Sequence, residues 1–316
     1  MRRGRSNGSL VAMPINQALL DNPKSDRVRR VADLARAKGR ERSGRFLIEG
    51  PQSVREAVTW RPDVVQDLYV AVDDALGHVR YASDTLARIV ETSQDATIYV
   101  HRATREVIER ISKDAQGILA VGNMRAMHAE PESVALPAAG ERTPRIAAFW
   151  QVRDPGNAGT VIRAADAAGC DAVVFVDECV DPLNPKVVRS TAGSLFHIPV
   201  LEMDVEGFLA YCAEHDLTTI AADVYGTPDR RPESLPTLLA ERTERVDAAG
   251  SDVVAKAEAA RPGEAVLFGN EARGLPPEIL ARMDRIVSIP LYGKAESLNL
   301  GTSAAVMLMS LAMADR

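Results

Sequence analysis

Apolar residues between Asp26 and Lys38 recur at Val28, Val31 and Leu34, and arginines fill much of the remainder. That spacing predicts one amphipathic helix across the stretch. From Arg45 onward, short apolar runs alternate with helical periodicity. Strands are predicted over 46–49, 64–72, 97–101 and 117–124, and helices over 53–60, 83–91 and 104–111, with Pro51 at a natural helix start. The alternation stops over 128–144, where Pro131, Pro137, Gly140 and Pro144 punctuate a segment without apolar period. It resumes with strands over 146–150, 172–177, 198–203 and 219–224 and helices over 158–168, 185–193 and 205–215. Strands over 265–268 and 285–290 and a closing helix over 298–314 complete it. Continuous apolar strands between helices indicate an α/β fold with a mostly parallel sheet covered on both faces.

The pattern divides the chain into a flexible basic N-terminus (1–25), a small α/β domain led by a basic helix (26–125), a linker (126–144) and a larger α/β domain (145–316). Within the larger domain, 227–263 is polar and proline-punctuated. It reads as a surface insertion with some helix around 235–258.

Composition narrows the function classes. With 46% hydrophobic residues in 316, the chain is too apolar for disorder and long enough for about two domains. No window approaches 18 consecutive apolar residues, so a membrane span is not expected. The basic N-terminus lacks the apolar core of a signal peptide. Cys170, Cys179 and Cys212 form no C-x-x-C pair, which argues for a reducing, cytoplasmic setting and against a disulfide framework or a structural metal. The net charge of −6 and an aromatic content of 4% speak against a nucleic-acid partner. The total conceals an asymmetry. Residues 1–45 hold twelve Lys/Arg against four Asp/Glu, a net +8, so the other 271 carry −14. Lys24, Arg27, Arg29, Arg30, Lys38, Arg40 and Arg45 belong to this basic front. They fit either a solvated amphipathic helix or an arm that contacts phosphates.

Three segments of the larger domain follow strands directly, where α/β proteins bind ligands. The first, D-P-G-N-A-G-T-V-I-R-A-A over 154–165, is a turn opening a helix, with Asn157 as candidate N-cap and Arg163 on the second turn. Arg163 fits a surface ion pair or an anion site. It contains no G-x-G-x-x-G, so dinucleotide binding is not indicated. The second, L-F-G-N-E-A-R-G-L over 267–275, places Glu271 just past a strand end between Gly269 and Gly274. A carboxylate there fits acid–base or ligand work as well as an ordinary turn. The third, I-P-L-Y-G-K-A-E-S-L-N-L-G-T-S-A-A over 289–305, runs from a strand through a glycine loop into a helix rich in small residues, suited to close packing or to ligand contact.

Taken together and in this order, the segments resemble the signature motifs of the SpoU/TrmH family of RNA 2′-O-ribose methyltransferases, within the SPOUT superfamily. The first is similar to N-x-G-x-x-x-R through Asn157, Gly159 and Arg163. The second is similar to G-N-E-x-x-G-L through Gly269, Asn270, Glu271, Gly274 and Leu275. The third is similar to I-P-M-x-G-x-x-x-S-L-N through Ile289, Pro290, Gly293, Ser297, Leu298 and Asn299, with Leu291 for the usual Met. G-R-F-L-I-E-G (44–50) and Q-G-I-L-A-V (116–121) look like the opening and closing strands of the family's N-terminal RNA-binding domain. After S-L-N the family's V-S-V or V-A-V is replaced by Leu300, Gly301 and Thr302.

The resemblance implies a C-terminal domain threaded as a trefoil knot and dimerised across it, and S-adenosylmethionine as cofactor. It places the cofactor near Leu267, Gly269, Asn270, Ile289, Leu291, Gly293 and Leu298. It implies catalysis by Arg163 with Asn157, Glu271, Ser297 and Asn299. Arg163 is either a base in a site that lowers its pKa or an electrostatic anchor for phosphate and alkoxide. The substrate implied is ribosomal RNA of the 23S type. Transfer RNA, a catalytically silent RNA-binding protein of this fold, and an unrelated nucleotide-binding enzyme are the alternatives.

Overall fold

A computed structural model describes residues 15–73, 80–138, 142–249 and 262–315. The chain divides into two compact units, Met1–Asn123 and Met124–Arg316.

The first unit runs β1 (Ile15–Leu20), α1 (Asp26–Ala32), a 3-10 turn (Asp33–Ala35), α2 (Ala37–Ser43), β2 (Arg45–Glu49), α3 (Pro51–Trp60), β3 (Val65–Asp73), β4 (Arg80–Tyr81), α4 (Asp84–Asp95), β5 (Tyr99–Ala103), α5 (Arg105–Ile111) and β6 (Ile118–Asn123). The sheet order is β1-β5-β3-β6-β2, with β4 on the flank of β3. Ser25, Ser83 and Thr104 cap α1, α4 and α5 by accepting from the backbone N–H three residues on. Phe46, Leu47, Ile48, Leu68, Ile118 and Leu119 are fully buried in its core.

Two expectations are corrected here. The flexible N-terminus was to reach residue 25, yet Ile15–Leu20 pairs in parallel with β5. The single helix expected over 26–38 is interrupted. Arg36 is extended (φ −105°, ψ 142°), and the chain doubles back so tightly that a Cβ on Gly39 would lie 2.1 Å from the Asp33 carbonyl oxygen. The apolar period could not reveal the break, because Val28, Val31 and Leu34 all precede it and all are buried.

The second unit begins with α6 (Met124–Met127) and a 3-10 turn (Pro131–Ser133). It continues with β7 (Arg145–Trp150), α7 (Pro155–Ala167), β8 (Ala172–Val176), α8 (Pro185–Ser190), β9 (Val200–Met203), α9 (Val205–Glu214) and β10 (Thr218–Ala222). Then come β11 (Glu233–Ser234), α10 (Leu235–Ala249), β12 (Glu264–Phe268), α11 (Pro277–Leu280), β13 (Arg285–Ser288) and α12 (Leu300–Ala314). The segment expected as a linker over 126–144 is no bare tether: Ala129, Val134 and Leu136 pack against this unit's core. Of the helix expected over 235–258, the part past Ala249 lies outside the described residues.

All seven strands are parallel, in the order β11-β13-β10-β12-β7-β8-β9. Every residue of β7, β8 and β12 is buried. A sheet covered on both faces requires such runs. The order makes β13, β10, β12 and β7 neighbours, so the loops leaving their carboxyl ends lie side by side. Chain succession cannot show this, since β10 and β12 enter between β13 and β7 out of sequence.

One charged cluster crosses this layer. Glu264 on β12 accepts from the guanidinium groups of Arg145 on β7 and Arg242 on α10, and both arginines also reach Asp315 past the end of α12. Burial works to raise the Glu264 carboxyl, but the two guanidiniums outweigh it and hold the group below the usual glutamate range. A carboxyl that titrates lower in the folded than in the unfolded state stabilises fully above about pH 4.3 and loses that contribution as pH falls further. Glu264→Gln is therefore expected to lower unfolding stability by about 3 kcal/mol at neutral pH, since it leaves two buried cations short of a counter-charge. The gap between the urea midpoints of the two proteins should narrow progressively as pH falls below about 4.3.

Candidate active site

The first motif loop leaves β7 at Trp150. Asp154, not the expected Asn157, caps α7: its Oδ1 accepts from the Asn157 backbone N–H at 2.8 Å, with Pro155 in the first turn. Pro at that place has no N–H to leave unsatisfied. Asn157 thus lies inside the helix with its side-chain amide unspent. Its Nδ2 donates to Glu271 Oε1 at 2.8 Å, and its Oδ1 accepts from Asn299 Nδ2 at 3.1 Å. Asn299 in turn caps α12, its Oδ1 accepting from the Gly301 N–H. One asparagine therefore joins all three motif loops.

The second loop is closed upon itself. Gly274, at φ +66°, donates its N–H to the Asn270 carbonyl at 2.8 Å. A Cβ on Gly269 would meet the backbone of Gly274 at 2.5 Å. The Asn270 side chain pins this loop to the first one by donating to the Gln151 carbonyl at 2.8 Å. Gln151 itself has φ +50°, a conformation that a non-glycine residue holds only when its surroundings impose it. Its Oε1 accepts from Arg273 at 2.7 Å, and the Arg273 guanidinium lies 5.6 Å from the centre of the Trp150 ring.

The third loop borders a cleft at the ends of β10 and β13. Ile289, Leu291 and Leu298, three of the residues assigned to the cofactor, line it. The structure adds Asp223 and Ser288 from the strand ends and Ser303 and Met307 from α12. Ser303 lies in the third motif segment; Asp223, Ser288 and Met307 carry no motif, and only the strand order could have found them. Leu267, also assigned to the cofactor, is instead fully buried in the sheet core. Asn270 serves the loop, as described, and Gly293 is exposed on the third loop with no neighbour against it. The cleft adjoins the amide chain: Leu298 precedes Asn299, and a Cβ on Gly274 would lie 3.5 Å from Asp223 Oδ2.

Arg163 is exposed on α7 and makes no ion pair among the described residues, so the surface salt bridge considered for it is not what holds it there. Ser297 is exposed and is not drawn into the amide network. Gly301, the departure from the family pattern, permits close helix packing: a Cβ there would lie 2.5 Å from Thr160 Cγ2 on α7.

The basic residues of the first unit divide. Lys24, Arg29, Arg30, Lys38 and Arg45 are exposed. Arg40 corrects the expectation of an RNA contact: it is 2% exposed, and its guanidinium donates to the Leu34 carbonyl. Arg27 is engaged with the His101 ring, which also meets Asp67 Oδ1 at 2.8 Å. Burial pushes the thiols of Cys170 and Cys212 up to about 12 and that of Cys179 to about 11, which keeps them protonated at neutral pH. Among the described residues no group of three His, Cys, Asp or Glu side chains stands together as metal ligands, and no helix is long and apolar enough to cross a membrane.

Comparison with known proteins bears on this arrangement. The model of the SpoU rRNA Methylase family matches residues 144–309, and that of the MRM3-like substrate binding domain matches 25–120. The 23S rRNA (guanosine(2553)-2′-O)-methyltransferase RlmP of Bacillus subtilis is 30% identical over 92% of this chain and 98% of its own. Among solved structures, the AdoMet-bound rRNA methyltransferase of Sinorhizobium meliloti aligns over 94% of this chain and 97% of its own, with TM-score 0.70 and 22% identity. The AdoMet complex of AviRb from Streptomyces viridochromogenes aligns over 92% and 98%, with TM-score 0.69 and 21% identity. At those identities the structures speak for the fold alone. The family match covers all three loops that Asn157 ties together, and with it the chain is a member of the SpoU rRNA methylase family.

Proposed function

We propose that this protein transfers a methyl group from S-adenosylmethionine to a ribose 2′-hydroxyl of ribosomal RNA. The observation that carries the reading is the Glu271–Asn157–Asn299 chain beside the cleft. The relative of 30% identity is named for the same reaction on 23S rRNA.

The cleft suits the methyl donor. Ile289, Leu291, Leu298 and Met307 offer apolar faces, and Asp223, Ser288 and Ser303 offer hydrogen-bonding groups. Small-molecule sites combine the two in this way. When bound, the donor supplies an electrophilic sulfonium methyl with a neutral thioether as its leaving group. The protein's own task lies with the nucleophile, because a ribose hydroxyl is scarcely ionised at neutral pH. Arg163 is a poor base, since a guanidinium pKa lies above about 12. Its role is to hold the phosphate next to the target ribose and to stabilise the developing alkoxide while the hydroxyl proton passes to the free Glu271 oxygen or to water. Glu271, with one carboxylate oxygen engaged by Asn157, keeps the other for the hydroxyl or for Arg163. Ser297, exposed on the third loop, is left open to the substrate.

The knotted path and the dimer belong to the same proposal. β13 lies beyond β10, while the following helix α12 returns to pack on α7, which leaves β7. That return path is consistent with threading through a loop. Val306, Met309 and Met313 stand exposed at helical spacing along α12, an apolar stripe suited to a second copy of the chain. An RNA substrate and three free cysteines accord with the cytoplasm.

Arg163→Ala is expected to lower kcat by about 10²–10³-fold, the loss typical of one electrostatic donor. Donor affinity by calorimetry should stay unchanged, and near-normal methyl transfer by this variant would remove Arg163 from the mechanism. Asn157→Ala should lower kcat by about 10²-fold through misplacement of Glu271, with KM for RNA little altered. Met309→Asp should convert the two-chain species to one chain in sedimentation. An unchanged sedimentation profile would place the dimer contact elsewhere.

A further inference from the structure

Helices α1 and α2, the turn between them and α5 border an open groove whose walls carry Arg29, Arg30, Arg36, Arg42 and Arg110. Of these, only Arg29 and Arg30 fall among the basic residues singled out above. Arg110 arrives from a distant part of the sequence, and the break at Arg36 turns α2 so that Arg42 joins the same wall.

Two aspartates act as struts. Asp26 pairs with Arg29, and Asp33 pairs with Arg42 at 2.5 Å and more loosely with Arg36 at 3.7 Å. Exposed pairs of this kind add little stability. They do hold three guanidiniums in place before anything binds, which reduces the ordering lost on binding. Arg30 and Arg110 are exposed and have no ion pair among the described residues. Five arginines against two aspartates leave the groove at +3.

We propose that this groove receives the phosphate backbone of structured RNA, gripping it by charge and shape without reading bases. The inference rests on the RNA methyltransferase reading above and assigns its substrate contact to a surface. Guanidinium groups present a planar fork matched to phosphate oxygens. Among the described residues no aromatic side chain lines the groove, so they offer no platform on which unpaired bases would stack.

The test uses the full-length Arg30→Ala/Arg110→Ala protein and a hairpin RNA, with binding followed by anisotropy across a potassium chloride series. Arg88→Ala, on α4 and outside the groove, is the control. The double variant should show a plot of log K against log salt shallower by about 2, one for each phosphate contact removed. Its RNA affinity should fall on the order of tenfold at ~0.1 M salt, with KM for RNA raised and kcat at saturating RNA retained. The control should match the wild type. An unchanged slope in the double variant, or an equal loss in the control, overturns the assignment. So does displacement of the RNA by polyglutamate as readily as by competing RNA, which would mark a site for acidic protein. If the wild type binds RNA through the groove yet transfers no methyl, the groove stands and the methyltransferase reading falls. If the wild type methylates RNA and the double variant keeps its slope, the groove falls alone.

Discussion

The side-chain amide of Asn157 donates to Glu271 and accepts from Asn299, and the rest of the active-site architecture depends on that double use. A side-chain amide donates and accepts from a single rigid plane without carrying charge. A carboxylate at 157 would face Glu271 with like charge, and an alkyl group would make neither link and leave the three loops untied. The bridge is available only because Asp154 has taken over the capping of α7, which frees Asn157 from the backbone. Local helix chemistry and long-range loop geometry are thus coupled through one short turn.

The parallel sheet sets the stage on which this bridge can form. Strands β13, β10, β12 and β7 lie side by side with their carboxyl ends aligned, so three loops far apart in sequence emerge together. The strained Gln151 and the Asn270 amide lock the first two loops to each other, and Gly301 lets α12 close against α7 beneath the third. The charged cluster of Arg145, Arg242, Glu264 and Asp315 ties β7, β12, α10 and the C-terminal end of α12 in the same layer.

Much of this was legible in the residues. The apolar runs over 146–150, 172–177 and 265–268 declare buried parallel strands, and the motif residues Asn157, Glu271 and Asn299 do meet. Strand order was not legible, because crossover connections leave no trace in local periodicity. For that reason Asp223, Ser288 and Met307 carry no mark in the sequence although they line the cleft, and Leu267 is expected at a cleft from which the core excludes it. Charge counting found the basic front end but could not sort it. Arg40 is spent inside the fold and Arg27 on His101, while Arg110 joins the groove from a segment with no basic bias. Which cations are available to a partner is decided by packing, and one-dimensional charge does not carry that information.

The central claim is that the three joined loops direct a methyl group to a ribose hydroxyl and not to a base. Chemistry distinguishes the two cleanly, since a 2′-O-methylated linkage resists alkaline hydrolysis while all other RNA linkages are cleaved. Unmodified ribosomal RNA incubated with the protein and methyl-labelled S-adenosylmethionine, then digested in alkali, should retain its label in resistant dinucleotides. Label released in mononucleotides, or no label transferred at all, would contradict the account.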